Sequence, residues 1–172
     1  MGMYTGLRCK MIVKEEYREE LQRLHSEGYE WESSDIDFMR GFGRLGRASF
    51  IPCGSLSYMP DEWEDVPLDK NGNKDYWKAT ATDGFERQFN AETGYWSFQC
   101  SLKNYENEIE AFFEEVLPEI AESIEHLEYY YEEWTDSILY ELRDGKIVKS
   151  DKEGIKYGCD NEYDGYESWA YL

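Results

Sequence analysis

Between Asn104 and Leu142 the chain carries thirteen carboxylates and no lysine or arginine. Threaded through the first half of that stretch are Ile109, Phe112, Phe113, Val116, Leu117, Ile120 and Ile124. They recur at intervals of three and four, the period of one face of an α-helix. A helix that is apolar on one side and anionic on the other can bury its stripe only against another apolar layer. The spacing predicts a helix over 105–124 docked on a sheet. Asn104 is the expected N-cap, and Glu106 and Glu108 suit the positive end of the helix dipole. Pro118 lacks a backbone donor and is expected to kink or divide the helix.

Strands for that sheet are readable on both sides of the helix. TGLRCKMIVK (5–14) alternates, and YWSFQCSL (95–102) alternates with strong aromatic content after the hairpin-type turn NAETG (90–94). EEYREELQRLHSEG (15–28) places Tyr17, Leu21 and Leu24 on one helical face and ends at Gly28. The stretch 29–60 lacks a helical period and reads as loop, with a short strand near ASFIPCG (48–54). Residues 60–75 form a polar excursion rich in turn residues, and YWKATAT (76–82) and FERQF (85–89) read as short strands. EHLEYYYEEWTDSILYEL (125–142) has strand chemistry. It is followed by the turn RDG (143–145) and a return strand KIVKS (146–150). Residues 151–172 read as an irregular acidic and aromatic segment. The order predicts one α+β domain over 1–172: an antiparallel sheet with two main helices packed on it, ferredoxin-like with an inserted hairpin as the first topology.

Hydrophobic content of 41% and 29 aromatic residues argue for a folded chain despite a net charge of -20. No run approaches the roughly 18 apolar residues of a membrane span, and MGMYTGLRCKMIVKEE shows no secretory pattern, so a cytoplasmic protein is expected. Cys9, Cys53, Cys100 and Cys159 are widely separated and form no C-x-x-C, so reduced thiols are expected, with no metal site and no cofactor.

GFGRLG (41–46) matches G-x-G-x-x-G formally, yet no strand leads into it and no apolar helix opens from it, which favours a chance match or flexible loop. Arg40, Arg44 and Arg47 lie within eight residues. They suggest either an anion pocket or internal neutralisation of nearby acids, and the latter is favoured in so acidic a chain. DKNGNKD (69–75) fails the EF-hand pattern, since position 6 is Lys74 and position 12 is Thr80. Cys53 or Cys100 with His25 or His126 would be a nucleophile and base, but nothing local in sequence supplies the setting a thiolate needs.

The charge itself is uneven. Residues 1–50 carry a net -1, 51–100 a net -5 and 101–172 a net -14. On a helix, Glu106, Glu110 and Glu114 would form one row at i+4 spacing, and Glu115, Glu119 and Glu122 a second. Carboxylates in one row would lie about 6 Å apart, and the two rows together would give roughly one charge per 3 Å of axis, comparable with the phosphate repeat of one DNA strand and the basis for a nucleic-acid mimic. The alternative is an acidic face that only solubilises.

GYWSFQCSLKNYENEIEAFFEEVLP (94–118) followed by YYYEEWTDSILYELRDGKIV (129–148) resembles small uncharacterised acidic proteins carried by phages and mobile elements. That group includes inhibitors of bacterial defence, anti-CRISPR proteins among them. The resemblance implies the cytoplasm of a bacterial host and assigns no site residues.

The reading is therefore a non-enzymatic acidic protein that binds and inhibits a basic, nucleic-acid-handling partner, without binding nucleic acid or membrane itself. Expected partner-binding residues are Glu106, Glu110, Glu114, Glu115, Glu122, Glu128, Glu132, Glu133, Tyr130 and Trp134. Carboxylates would steer the encounter and aromatics supply contact area. Two alternatives stand beside it: an immunity-type protein neutralising a basic toxin, and a small enzyme or ligand sensor using the Arg40–Arg47 loop.

Overall fold

The computed structural model describes residues 3–26, 28–54, 63–65, 68–73, 80–81, 85–134 and 136–155. The N-terminal strand β1 (Thr5–Val13) becomes the centre of the sheet. A 3-10 turn at Glu15–Tyr17 leads into α1 (Arg18–Leu24). After a second 3-10 turn at Trp31–Ser33 come α2 (Asp37–Gly43) and the short α3 (Phe50–Cys53). A separate two-stranded ribbon pairs β2 (Trp63–Asp65) with β3 (Thr80–Ala81). Then follow β4 (Gln88–Phe89) and β5 (Tyr95–Leu102), a helix over 108–120, β6 (Ala121–Tyr131), β7 (Ile138–Arg143) and β8 (Lys146–Lys149). The six strands of the main sheet lie in the order β4-β5-β1-β6-β7-β8, every neighbouring pair antiparallel. This is an α+β fold. Two strands beyond β6 and the helical insertion after α1 leave a ferredoxin-like assignment unconfirmed.

Alternation along β1 sorts its side chains onto two different faces. Leu7, Cys9, Met11 and Val13 join Trp96, Phe98, Cys100, Leu102 and Leu127 on the helix-covered face. Phe112 occupies the middle of that core. Its ring lies 5.7 Å from Phe42, 6.0 Å from Trp31 and 6.3 Å from both Trp96 and Phe98. The Trp31 indole satisfies its donor on the Ile51 carbonyl at 2.6 Å. The other face is polar but also buried: Gln99, Arg8 and Glu128 lie opposite one another across β5, β1 and β6 and are 1–4% exposed. Arg8 Nε donates to Gln99 Oε1 at 2.7 Å.

The helix differs from expectation at both ends. It starts after Asn107, which has a left-handed φ of 58°, and Asn104 caps it from further back by accepting the Ile109 N–H at 2.9 Å. Pro118 does divide it. A proline cannot donate to the carbonyl four residues earlier, and Phe112–Val116 widens into a π turn in which the Leu117 N–H reaches the Phe112 carbonyl. One further α turn, α5 (Leu117–Ile120), closes the segment that α4 (Glu108–Ala111) opened. The chain turns extended at Ala121, because Val13 and the residues before it claim 121–124 for the ladder. Glu122 and Ile124 therefore belong to β6 rather than to the helix.

Two further expectations are corrected. The stretch read as loop contains α2, whose Met39 and Phe42 are buried at i and i+3. A side chain at Gly43 would collide with the Glu32 backbone, so the glycine permits the close packing that hides this helix from propensity. The strand expected over 48–54 is instead the turn of α3, with Ile51 and Pro52 buried; Pro52 has no N–H to give a ladder. Most of 76–82, and 156–172, lie outside the described residues.

Phe112→Ala should cost about 3–5 kcal/mol, as expected for emptying a core aromatic site. Chemical denaturation of the variant and the wild-type chain measures it, and an unchanged midpoint contradicts the placement of this ring.

Candidate functional site

The carboxylates of 104–142 separate by what their oxygens do. Glu106 accepts the Gly46 N–H at 3.0 Å. Glu108, fully buried, accepts the Arg47 N–H at 2.9 Å with one oxygen and the Glu106 N–H at 3.0 Å with the other. Together they clamp the turn after α2 to the start of the helix. A Cβ at Gly46 would strike the Glu106 carboxylate, which gives GFGRLG a packing reason unrelated to dinucleotides. Glu110 accepts from Asn104 Nδ2 at 2.6 Å and from the Tyr129 hydroxyl at 3.3 Å. Burial, then the Glu110 charge, pushes the Tyr129 phenol up to about 12. Glu132 accepts the Tyr4 N–H at 2.7 Å. Burial raises its carboxyl above the ordinary range, and the Glu133 charge adds to this against the opposing effect of that hydrogen bond. Glu128 is 1% exposed and lies 2.8 Å from His126 Nε2. Tyr130 is buried, its hydroxyl donating to the Trp134 carbonyl at 2.5 Å.

Of the residues expected to meet a partner, Glu106, Glu110, Glu128, Glu132 and Tyr130 are thus tied into the molecule. Glu133 is half-buried, and Glu114, Glu115, Glu122 and Trp134 are exposed. The two regular rows do not form, because Glu106 precedes the helix and Glu122 follows it.

A different acidic surface gathers at one end of the sheet. Glu114, Glu115 and Glu119 are exposed on the helix, and Glu122 and Glu125 on the first residues of β6. The Lys14 N–H bonds the Ile120 carbonyl at 2.8 Å, which brings Glu15 and Glu16 to the same end. The Tyr17 phenol is raised by burial and then by the charges of Glu16 and Glu119. Burial likewise raises Tyr95, with Glu125 and Glu86 adding to it across the sheet. Glu15 and Glu16 were not predicted as site residues, since nothing in the sequence tells that β1 delivers them to the end of the helix.

The arginines do not converge. Arg40 is ion-paired with Asp37 at 2.5 Å and donates to the Ser34 carbonyl at 3.3 Å. The Arg47 guanidinium lies over the Tyr105 ring at 4.8 Å, and Arg44 is exposed. Internal engagement accounts for Arg40 and Arg47 better than a common anion pocket.

The thiols part company too. Cys9 and Cys100 are fully buried, and burial pushes the Cys100 thiol up to about 12 and Cys9 higher still. Exposed Cys53 shares a cleft of about 480 Å³ with His25 and Arg87. The Trp96 indole N–H donates to His25 Nε2 at 2.8 Å. An indole is only a donor, so His25 is held neutral with its proton on Nδ1. Burial, and secondarily the Arg87 charge, lowers its pKa below the usual 6.5. In this tautomer Nε2 accepts from Trp96 and Nδ1 carries the proton, so His25 offers a hydrogen-bond donor and has no free lone pair with which to act as a base for Cys53.

Comparison with protein-family models, with curated proteins and with solved structures finds no match.

Two measurements follow from these contacts. Glu108→Ala removes the acceptor of two backbone donors and should cost about 1–3 kcal/mol per donor left unsatisfied, measured by thermal or chemical unfolding. For His25, the unfolded chain takes up a proton as pH falls below about 6.5 while the folded chain resists. Its contribution to stability is therefore present above 6.5 and is lost progressively on acidification, levelling off once pH passes the lower folded-state value. An NMR titration of the ring should give a midpoint below 6.5, and a midpoint above 6.5 would contradict the Trp96 hydrogen bond.

Proposed function

We propose that this chain is a non-enzymatic binding protein whose acidic sheet end engages a basic, nucleic-acid-handling protein and blocks it. The supporting observation is the set Glu114, Glu115, Glu119, Glu122 and Glu125. All five are exposed, and among the described residues none is in an ion pair. Carboxylates left unneutralised on one surface of a chain of net charge -20 favour a cationic partner and speed its approach. The resemblance to acidic phage-borne inhibitors suggests bacterial defence as the setting.

The aromatic part of the earlier expectation separates from the acidic part. Trp134 is 37% exposed, with its ring 5.8 Å from both Tyr129 and Tyr131. β6 runs about 30 Å between Glu122 and the Tyr131 end of the strand. Trp134 thus lies at the far end of β6 from Glu122, and the binding surface proposed is the acidic end.

Charge reversal tests this. Glu115, Glu119 and Glu122 changed together to Lys should weaken capture of the basic partner from bacterial lysate by about tenfold or more. The control is Glu32, Asp35 and Glu153 changed to Lys, exposed carboxylates elsewhere with the same change in charge. Added duplex DNA should compete with the wild-type interaction, and rising salt should weaken it. Equal behaviour of the two triples, or capture that DNA leaves untouched, overturns the reading.

A further inference from the structure

The cleft shared by His25 and Cys53 is independent of the acidic end and has a chemistry of its own. It opens between the end of α1, the turn 28–31 and α3, with Arg87 contributed from just before β4. Buried Trp31, Ile51 and Pro52 supply an apolar wall. Its volume of about 480 Å³ is that of a site for a metabolite-sized molecule.

The polar groups at this cleft divide into those already committed and those available. The Tyr29 hydroxyl donates to Glu20, and the Ser26 hydroxyl to the Arg23 carbonyl. Glu30 is exposed at the rim, and the Ser33 N–H goes to its main-chain carbonyl at 2.9 Å. What remains is donors. His25 has Nδ1–H, because Nε2 accepts from Trp96. Arg87 spends Nε on the Pro52 carbonyl at 2.8 Å and one Nη2 donor on the Gly54 carbonyl at 3.4 Å. Among the described residues Nη1 donates to none. Those two carbonyls also fix the guanidinium plane, so little rotamer freedom is left to lose on binding. Among the described residues Arg87 is ion-paired with none, although it belongs to a chain with 38 carboxylates. A rigid cation left unpaired beside a neutral imidazole donor and an apolar wall is a recognition site for an acceptor with negative charge.

We propose that this cleft binds a small organic anion, its carboxylate or phosphate held by Arg87 and the Nδ1–H of His25, its apolar body lying against Trp31, Ile51 and Pro52. The Ser49 hydroxyl at the cleft wall is a further donor for the same group. Cys53 borders the ligand and takes no part in any bond change.

The test follows the side-chain signals of His25 and Arg87 by NMR in the full-length ¹⁵N-labelled chain. The probes are benzoate, phenyl phosphate, benzyl alcohol, benzylamine and inorganic phosphate. A saturable shift with benzoate or phenyl phosphate, and none with benzyl alcohol or benzylamine, is the expected result. Benzoate alone identifies a carboxylate site, and phenyl phosphate alone a phosphate site. Arg87→Gln should weaken the responding probe by about tenfold or more. His25→Gln, which keeps an acceptor for Trp96 and an N–H for the ligand, should retain most of the affinity. Should Arg87→Gln fail to fold, the charge series on the wild-type chain still decides. No saturable shift with either aryl anion, equal binding of the neutral or cationic probe, a response to inorganic phosphate alone, or an Arg87→Gln protein that folds and binds as wild type would each overturn the proposal.

Discussion

β1 is hydrogen-bonded along both edges, to β5 from Thr5 to Ile12 and to β6 from Thr5 to Val13. Its two faces have opposite chemistry, and both are buried. A slip of one residue would carry Arg8 into the layer of Trp96 and Phe98 and send Leu7 to the polar side. Burying an ion in that layer without partners costs far more than a single core contact returns. The Arg8–Gln99 hydrogen bond and the buried carboxylate of Glu128 opposite Arg8 therefore act as a register lock. Helix position, cleft and acidic end all inherit their geometry from this one strand. Val13 and Lys14 receive the end of the helix, and β5 carries Trp96 to His25.

A chain so short of cations has found another use for its carboxylates. Glu106, Glu108 and Glu132 accept backbone N–H groups that would otherwise need water or a side-chain partner. Such bonds to an ionised acceptor are stronger than neutral ones. The formal charge of the 104–142 stretch therefore overstates the negative surface it presents. The surface that remains is smaller, lies at one end of the sheet, and draws on the N-terminal third of the chain through Glu15 and Glu16.

What the sequence disclosed and what it hid follow from range. β5, the turn at 90–94 and the β7–β8 hairpin are local patterns, and they form where they were read. The stripe from Ile109 to Ile120 also reads correctly, because a helical face is a local property. The boundary at Ala121 does not, since Ile124 continues the period and only pairing with Met11 makes it a strand residue. α2 escaped because its glycines lower helix propensity while permitting contact with the turn at Trp31–Ser33. The acidic end and the cleft join segments distant in sequence, and no spacing rule reports such meetings. One trace of the cleft was visible: Arg87 is the only arginine between Arg47 and Arg143.

The central place of β1 also bears on how the chain is made. Its first partner strand starts at Tyr95 and its second ends at Tyr131. At synthesis rates of about 5–20 residues per second, roughly 6–24 seconds pass between the making of Val13 and of Tyr131. Until Leu102 is made both edges of this alternating segment lack their partners, and until Tyr131 is made one edge still does. The segment carries Arg8, Lys10 and Lys14 within a span of seven residues, and the two flanking lysines and the arginine are its protection against pairing with a neighbouring nascent chain. The same arginine that later fixes the register thus guards the strand before it has one.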